Sequence, residues 1–408
     1  MFRVLILAII IAVGLIGYFG NFSNTEEQAQ LSNDVRKDIS KKIDNAAPAE
    51  IVATSAVQLS EQSKPKSKFV HFNVGKRNVK SIFADGKIMW IGTSGGLVRY
   101  NIESEDYRHF DVRNGLLANG VFHVSRIDKN NIAVGTYGGG LSVLNEVTEK
   151  WSRYNVPNGL GDAFVYDLLT AKNGDIWIAT WTGVNRIING ELDNDNAWQL
   201  FTVENTDGGV PNDWIYGLAE GKDGEIWLAT EGGLARYQAG NWNNWQHEDG
   251  LGAQYEVVKD FNPFKRDPAK YSSHHAKQKI EQGLTGVNTA YNPNYIVSMD
   301  IADNGDVWVG TWGAGLNHFD GENWQVYTHL DGLPSNHIFM LKMAEDGTLW
   351  VGTSKGLAKR GPNSETFTLY STADGLFAEA IFSMDIQDEG TFWIGSFGGV
   401  ARIKGFDH

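Results

Sequence analysis

Cysteine is absent from all 408 residues of the chain. That excludes a disulfide scaffold, a thiolate metal site, an iron–sulfur cluster, covalently attached haem, a cysteine nucleophile and a lipid-modified N-terminal cysteine. Proline is scarce, at 9 residues, and charged residues make up only 21%, which argues against a disordered or collagenous chain. Positive charge is short as well, since 35 basic against 49 acidic residues leave a net charge of −14. Acids and bases balance between residues 21 and 68, so the acidity belongs to the part after Lys68. That part has no basic stripe and would repel duplex nucleic acid, so no nucleic-acid partner is expected. What is abundant is 47 Gly, 14 Trp and an aromatic share of 12%, a turn-rich, all-β composition.

Val4 to Gly20 carries no charge, with Arg3 before it and Glu26 and Glu27 soon after. At about 1.5 Å per residue the run spans about 25 Å, longer than most signal-peptide cores and slightly short of a bilayer. No small-x-small cleavage site follows it, so residues 1–20 are expected to be an uncleaved signal anchor in a bacterial inner membrane, with a cleaved signal peptide as the alternative. Arg3 favours a cytoplasmic N-terminus, which would put the rest of the chain in the periplasm or outside. Residues 21–68 are polar, have no aromatic after Phe22, and read as a flexible linker.

From residue 69 onward the chain repeats. Trp90-Ile91-Gly92-Thr93 recurs as Ala133-Val134-Gly135-Thr136, Trp177-Ile178-Ala179-Thr180, Trp227-Leu228-Ala229-Thr230, Trp308-Val309-Gly310-Thr311, Trp350-Val351-Gly352-Thr353 and Trp393-Ile394-Gly395-Ser396. The spacings are 43, 44, 50, 81, 42 and 43 residues, a period of four-stranded propeller blades and not of helical solenoids. Each unit reads as a first strand, an acidic Gly turn, the Trp-x-Gly-Thr strand, a Gly-rich turn, a third strand and an aromatic-x-x-aromatic fourth strand. The seventh unit lacks its fourth strand, and Phe69-Val70-His71-Phe72-Asn73-Val74 before the first unit supplies the same pattern. The expectation is therefore a seven-bladed β-propeller over residues 69–408, closed by an N-terminal strand. The long spacing is expected to hold an insertion at about residues 253–295, with a helix around Tyr271 to Gln282, in preference to a decayed eighth blade.

Written out as strand, acidic Gly turn, Trp-Ile-Gly-Thr, Gly-Gly-Leu, aromatic-x-x-Tyr and Asp331-Gly332-Leu333-Pro334-Ser335-Asn336, the repeat resembles the two-component regulator propeller family. The resemblance covers about residues 69–408 apart from the insertion. It implies an extracytoplasmic sensor or ligand-binding domain, in some members linked to polysaccharide sensing. No kinase or DNA-binding domain follows the last repeat in this sequence, so signalling would pass through a partner protein.

The acidic Gly turns are read as hairpin closures, not calcium loops, because they carry too few carboxylates for six or more oxygen ligands. Adjacent His274 and His275 make a poor chelate. No Gly-x-Ser-x-Gly, His-Glu-x-x-His or phosphate-binding loop occurs. No catalytic residue, metal or cofactor is therefore assigned, and each core Trp is taken as inter-blade packing.

A ligand site is expected where the turns after the core motif meet the connections into the next blade, because both lie at one end of each unit. These positions give Tyr137, Trp181, Glu231, Trp312 and Phe397 from the turns and Trp214, Asn336 and His337 from the connections. Exposed aromatic rings beside polar groups suit a carbohydrate or similar small polar ligand. The same rings could instead plug the channel mouth. Three function classes stay open: a sensor or ligand-binding propeller, an envelope protein-interaction scaffold, and a propeller lyase or hydrolase.

Overall fold

A computed structural model describes residues 68–264, 267–388 and 390–405. The expected anchor at 1–20 and the linker up to residue 67 lie outside the described residues. Among those described, no helix is long and apolar enough to cross a membrane. Two compact units are distinguished, one containing residues 67–266 and 287–408, the other containing 267–286.

The larger unit is an all-β propeller. Seven blades are expected from the repeats, but the described residues form six, five of them four-stranded and one six-stranded. The physical reason lies in two long strands that cross a repeat boundary without a break. Phe69–Asp85 is a single strand of 17 residues and Thr391–Lys404 one of 14. The first half of Phe69–Asp85 pairs antiparallel with Thr391–Lys404, from Phe69 opposite Ile403 to Asn73 opposite Gly399. Its second half pairs with Ile88–Thr93, from Val79 opposite Thr93 to Asp85 opposite Ile88. The last and first repeats are thereby hydrogen-bonded into one sheet, ordered Ile381–Asp388, Thr391–Lys404, Phe69–Asp85, Ile88–Thr93, Gly96–Asn101, Tyr107–Phe110. Phe72 stacks on Trp393 with ring centres 5.3 Å apart, adding an apolar seam to this junction of the two chain ends.

The core motif follows from contacts between successive repeats. The first strands touch one another in a closed order around the axis, the last returning to Phe69–Asp85. A Cβ placed on Gly135 would lie 2.7 Å from Val165 Cγ1 of the next first strand, and the same conflict arises between Gly92 and Val121, Gly310 and Ile338, and Gly352 and Ile381. Gly395 meets Val79 in the same way, so closure reuses the ordinary inter-repeat contact. The small motif residue is there because a neighbouring aliphatic fills its space. Each motif hydroxyl then closes the following turn, as Thr136 Oγ1 donates to the Gly140 carbonyl at 2.8 Å and Thr230 Oγ1 to that of Gly233 at 2.8 Å. The motif tryptophans Trp90, Trp177 and Trp393 are fully buried between sheets.

Between Ala253 and Tyr291 the described residues contain helices Tyr255–Val258 and Ser273–Glu281 with short 3-10 turns and no strand. In the smaller unit Ser272 caps the second helix by accepting from His275 N, and Lys279 pairs with Asp267.

Candidate functional site

The turns after the core motif do meet the connections into the next repeat. Tyr137 and Phe164 form an isolated β-bridge, as do Trp312 and His337. Glu231 N donates to the Trp214 carbonyl at 3.1 Å and Gly183 N to that of Asp213 at 2.7 Å. Backbone hydrogen bonding thus fixes both loops at one end of the sheets.

Of the eight expected residues, three form one aromatic group. Trp181 and Trp214 stack almost parallel, 4.4 Å between centres and 4° apart in plane. Phe164 stacks on Trp181 at 4.2 Å, and Tyr137 meets both edge-on. A second group joins Trp312 and His337, 5.2 Å apart, to Phe264. Glu231 is reached through Tyr216, whose hydroxyl donates to Oε2 at 3.3 Å. Tyr216 lies 4.7 Å from Tyr166 and 4.8 Å from Tyr295, which stacks towards Trp312 and so connects the two groups. Asn336 is turned away to local structure, its Oδ1 accepting from His329 N. Phe397 stands opposite Asn78 and joins neither group.

Exposure divides the set. Tyr137, Trp214 and Phe397 are half-buried, whereas Trp181 and Trp312 retain only 7% and 5% of their surface and Glu231 and His337 none. The expected exposed tryptophan surface is therefore reduced to Trp214, and Trp181 forms a floor beneath it. His337 Nε2 donates to the Ala290 carbonyl at 2.9 Å. Complete burial holds its pKa down at about 3, the hydrogen bond opposing that only in part, so it is neutral at pH 7. Burial likewise raises Tyr137, Tyr166 and Tyr216 above the usual phenol range, and Asp162 beside Phe164 above the usual carboxylate range.

A further set of residues was not foreseen. Every first strand carries a register irregularity directly after a buried aliphatic, leaving one extra residue. Those residues are Lys80, Phe122, Tyr166, Tyr216, Val297, Phe339 and Phe382. All are half-buried, while the preceding Val79, Val121, Val165, Ile215, Ile296, Ile338 and Ile381 are fully buried. A bulge re-aims a side chain out of the sheet face, here into the channel that the first strands enclose. The signal in the sequence is the pair Val or Ile followed by an aromatic, present in five of the seven first strands.

Comparison with known proteins agrees with this architecture. Residues 159–182, 209–232 and 332–355 match the model of the two-component regulator propeller. Three segments of the chain thus match the repeat of that family. Among solved structures, it is similar to an extracellular domain assigned to a hybrid two-component system of B. thetaiotaomicron, at 18% identity and TM-score 0.56, covering 81% of this chain and 40% of the other. A second B. thetaiotaomicron extracellular domain, assigned to a one-component system, matches at 15% identity and TM-score 0.59, covering 82% and 42%. The chain thus spans about two fifths of the length of those two proteins. Virginiamycin B lyase from Staphylococcus aureus, in an inactive form with quinupristin, matches at 11% identity and TM-score 0.58, covering 83% and 99%. At these identities the likeness establishes the propeller fold. A search of curated protein sequences returns no match.

Proposed function

We propose that the chain is an extracytoplasmic sensor propeller that binds a carbohydrate or another small polar ligand at the channel mouth and relays its presence to a partner protein. The domain order belongs to the same proposal: an N-terminal anchor, a linker, and a propeller held outside the cytoplasm. The observation that carries the reading is the stacked pair of Trp181 and Trp214 beside Tyr137, two half-buried rings resting on a buried one. Such a floor presents an aromatic face that a sugar ring can cover without reorganising the protein. Sensor-system extracellular domains among the similar structures support the class of function.

A lyase or hydrolase needs a proton-transferring pair within reach of one reacting atom. At this mouth His337 is neutral, buried and bonded to a backbone carbonyl, and Asn336 is engaged with His329, which favours binding over catalysis. The test is a calorimetric and thermal-shift screen of the full chain against neutral and acidic oligosaccharides, repeated with Trp214→Ala. A hit that raises Tm in the parent chain and is lost in the variant supports the site. A screen in which hits persist unchanged in Trp214→Ala moves the ligand elsewhere.

A further inference from the structure

The second repeat lacks a stack that the other six share. In those six a basic or imidazole side chain covers the motif tryptophan, as Arg99 covers Trp90 at 5.7 Å, Arg186 covers Trp177 at 5.7 Å and His318 covers Trp308 at 4.3 Å. The same register column of the second repeat reads Ala133, Val143 and Ser152. The sheets do not close up to compensate. A Cβ on Gly135 would approach Val165 Cγ1 at 2.7 Å, as one on Gly92 would approach Val121 Cγ1. What is left between the second and third repeats is a cleft of about 840 Å³, with Val143 and Ser152 in its lining, a size that suits a small-molecule site.

This cleft opens at the end of the sheets away from the mouth, beside the hairpin turns at Asp128 and Gly174. Its floor is aliphatic, built from Ile127, Val143, Ile176 and Leu192. One wall is strand Lys150–Tyr154, and the other belongs to residues 188–197, the longest link from a third to a fourth strand among the described residues. The Tyr154 hydroxyl donates to Asp193 Oδ1 at 2.7 Å and ties the two walls together. Glu191 Oε2 accepts from Asn194 Nδ2 at 2.7 Å. Each carboxylate thus keeps its other oxygen available, and among the described residues Lys150 at the rim makes no ion pair. No group of side chains able to hold a metal ion occurs among the described residues.

We propose that this cleft binds a free aromatic amino acid, whose ring takes the place of the missing indole, whose ammonium pairs with Asp193 and Glu191, and whose carboxylate pairs with Lys150. A flat ring matches a slot whose width is set by indoles at the other interfaces, and the aliphatic floor favours an apolar body. Both signs of charge stand at the rim. A zwitterion therefore gains charge-assisted hydrogen bonds at both of its ends, whereas an aryl amine or an aryl acid gains them at one. The site is separate from the mouth and does not depend on what binds there.

The test titrates the full chain by calorimetry with L-tryptophan, tryptamine and indole-3-propionate. One tryptophan is expected to bind saturably per chain, about tenfold or more tighter than either analogue, because each analogue lacks one charged partner. Lys150→Met is expected to bring tryptophan down to the affinity of tryptamine and to leave tryptamine unchanged. Ala133→Trp combined with Val143→Arg rebuilds the stack of the other repeats and is expected to abolish binding with Tm retained. If that double variant does not fold, Ser152→Trp fills the cleft from an exposed position and answers the same question. Absence of saturable tryptophan binding, equal affinity for the three compounds, or binding unchanged in Lys150→Met or in the filled variant would overturn the proposal.

Discussion

Trp181→Ala is the substitution on which the nature of the channel mouth turns. An exposed binding tryptophan could be removed with little loss of stability, which is the expectation from sequence for both Trp181 and Trp312. The structure reverses it, because Trp181 is buried on three sides by Phe164, Trp214 and Tyr137. Truncating a buried tryptophan costs about 3–5 kcal/mol, and each lost ring pair about 0.5–1.5 kcal/mol beyond the area it buries, which points to the upper part of that range. A propeller of about 340 residues has an unfolding entropy of about 0.7 kcal/mol/K, so about 4 kcal/mol corresponds to a fall in Tm of about 6 °C. Trp214→Ala, which removes a half-buried ring, should cost about 1–2 kcal/mol and about 1.5–3 °C by the same conversion. Differential scanning calorimetry on the parent and the two variants separates these values. A Trp181→Ala protein that melts within a degree of the parent, or above Trp214→Ala, would show that the ring is not a supporting floor.

Four other outcomes follow from the same geometry. Phe72→Ala should lower stability by about 2–3 kcal/mol because it removes stacking on Trp393 at the chain-end junction, whereas Phe69→Ala at the exposed start of the strand should cost under about 1 kcal/mol in urea unfolding. Gly135→Ala should cost about 1–3 kcal/mol through its clash with Val165 Cγ1, and Val165→Ala in the same chain should recover part of that loss, a double-mutant test of inter-repeat packing. Because the His337 pKa is depressed to about 3, the unfolded chain takes up that proton first as pH falls below about 6.5. Stability should then decline with a slope of up to about 1.4 kcal/mol per pH unit, and His337→Gln should flatten the decline in chemical-denaturation curves at pH 7 to 4. For Lys80 the unfolded chain holds the extra proton between about pH 8 and 10.5, so this group makes stability rise with pH over that window, and Lys80→Met should abolish the rise. A curve with the opposite slope would mean that the folded state prefers the charged amine.

The propeller class, the all-β composition, the four-strand repeat and the ends of the sheets that carry the variable turns were all legible in the sequence. Each depends on local patterning of a few residues: Thr136 and its equivalents tie their own turns, and Gly135 and its equivalents mark where a neighbour packs. The meeting of Tyr137 with Phe164 and of Trp181 with Trp214 followed from the order of strands alone. Other features depended on contacts between parts of the chain far apart in sequence. The blade number came out as six because strands Phe69–Asp85 and Thr391–Lys404 pair across the chain ends and run unbroken through a boundary that repeat counting treated as a gap. Burial of Trp181, Trp312 and His337 was decided by neighbours from other repeats and, for His337, by the Ala290 carbonyl within the long insertion. The channel ring around Lys80 stayed hidden because a one-residue bulge has no signature in hydrophobic periodicity. It exists only where a buried valine or isoleucine is pinned against the preceding repeat, and that pressure turns the next side chain towards the axis.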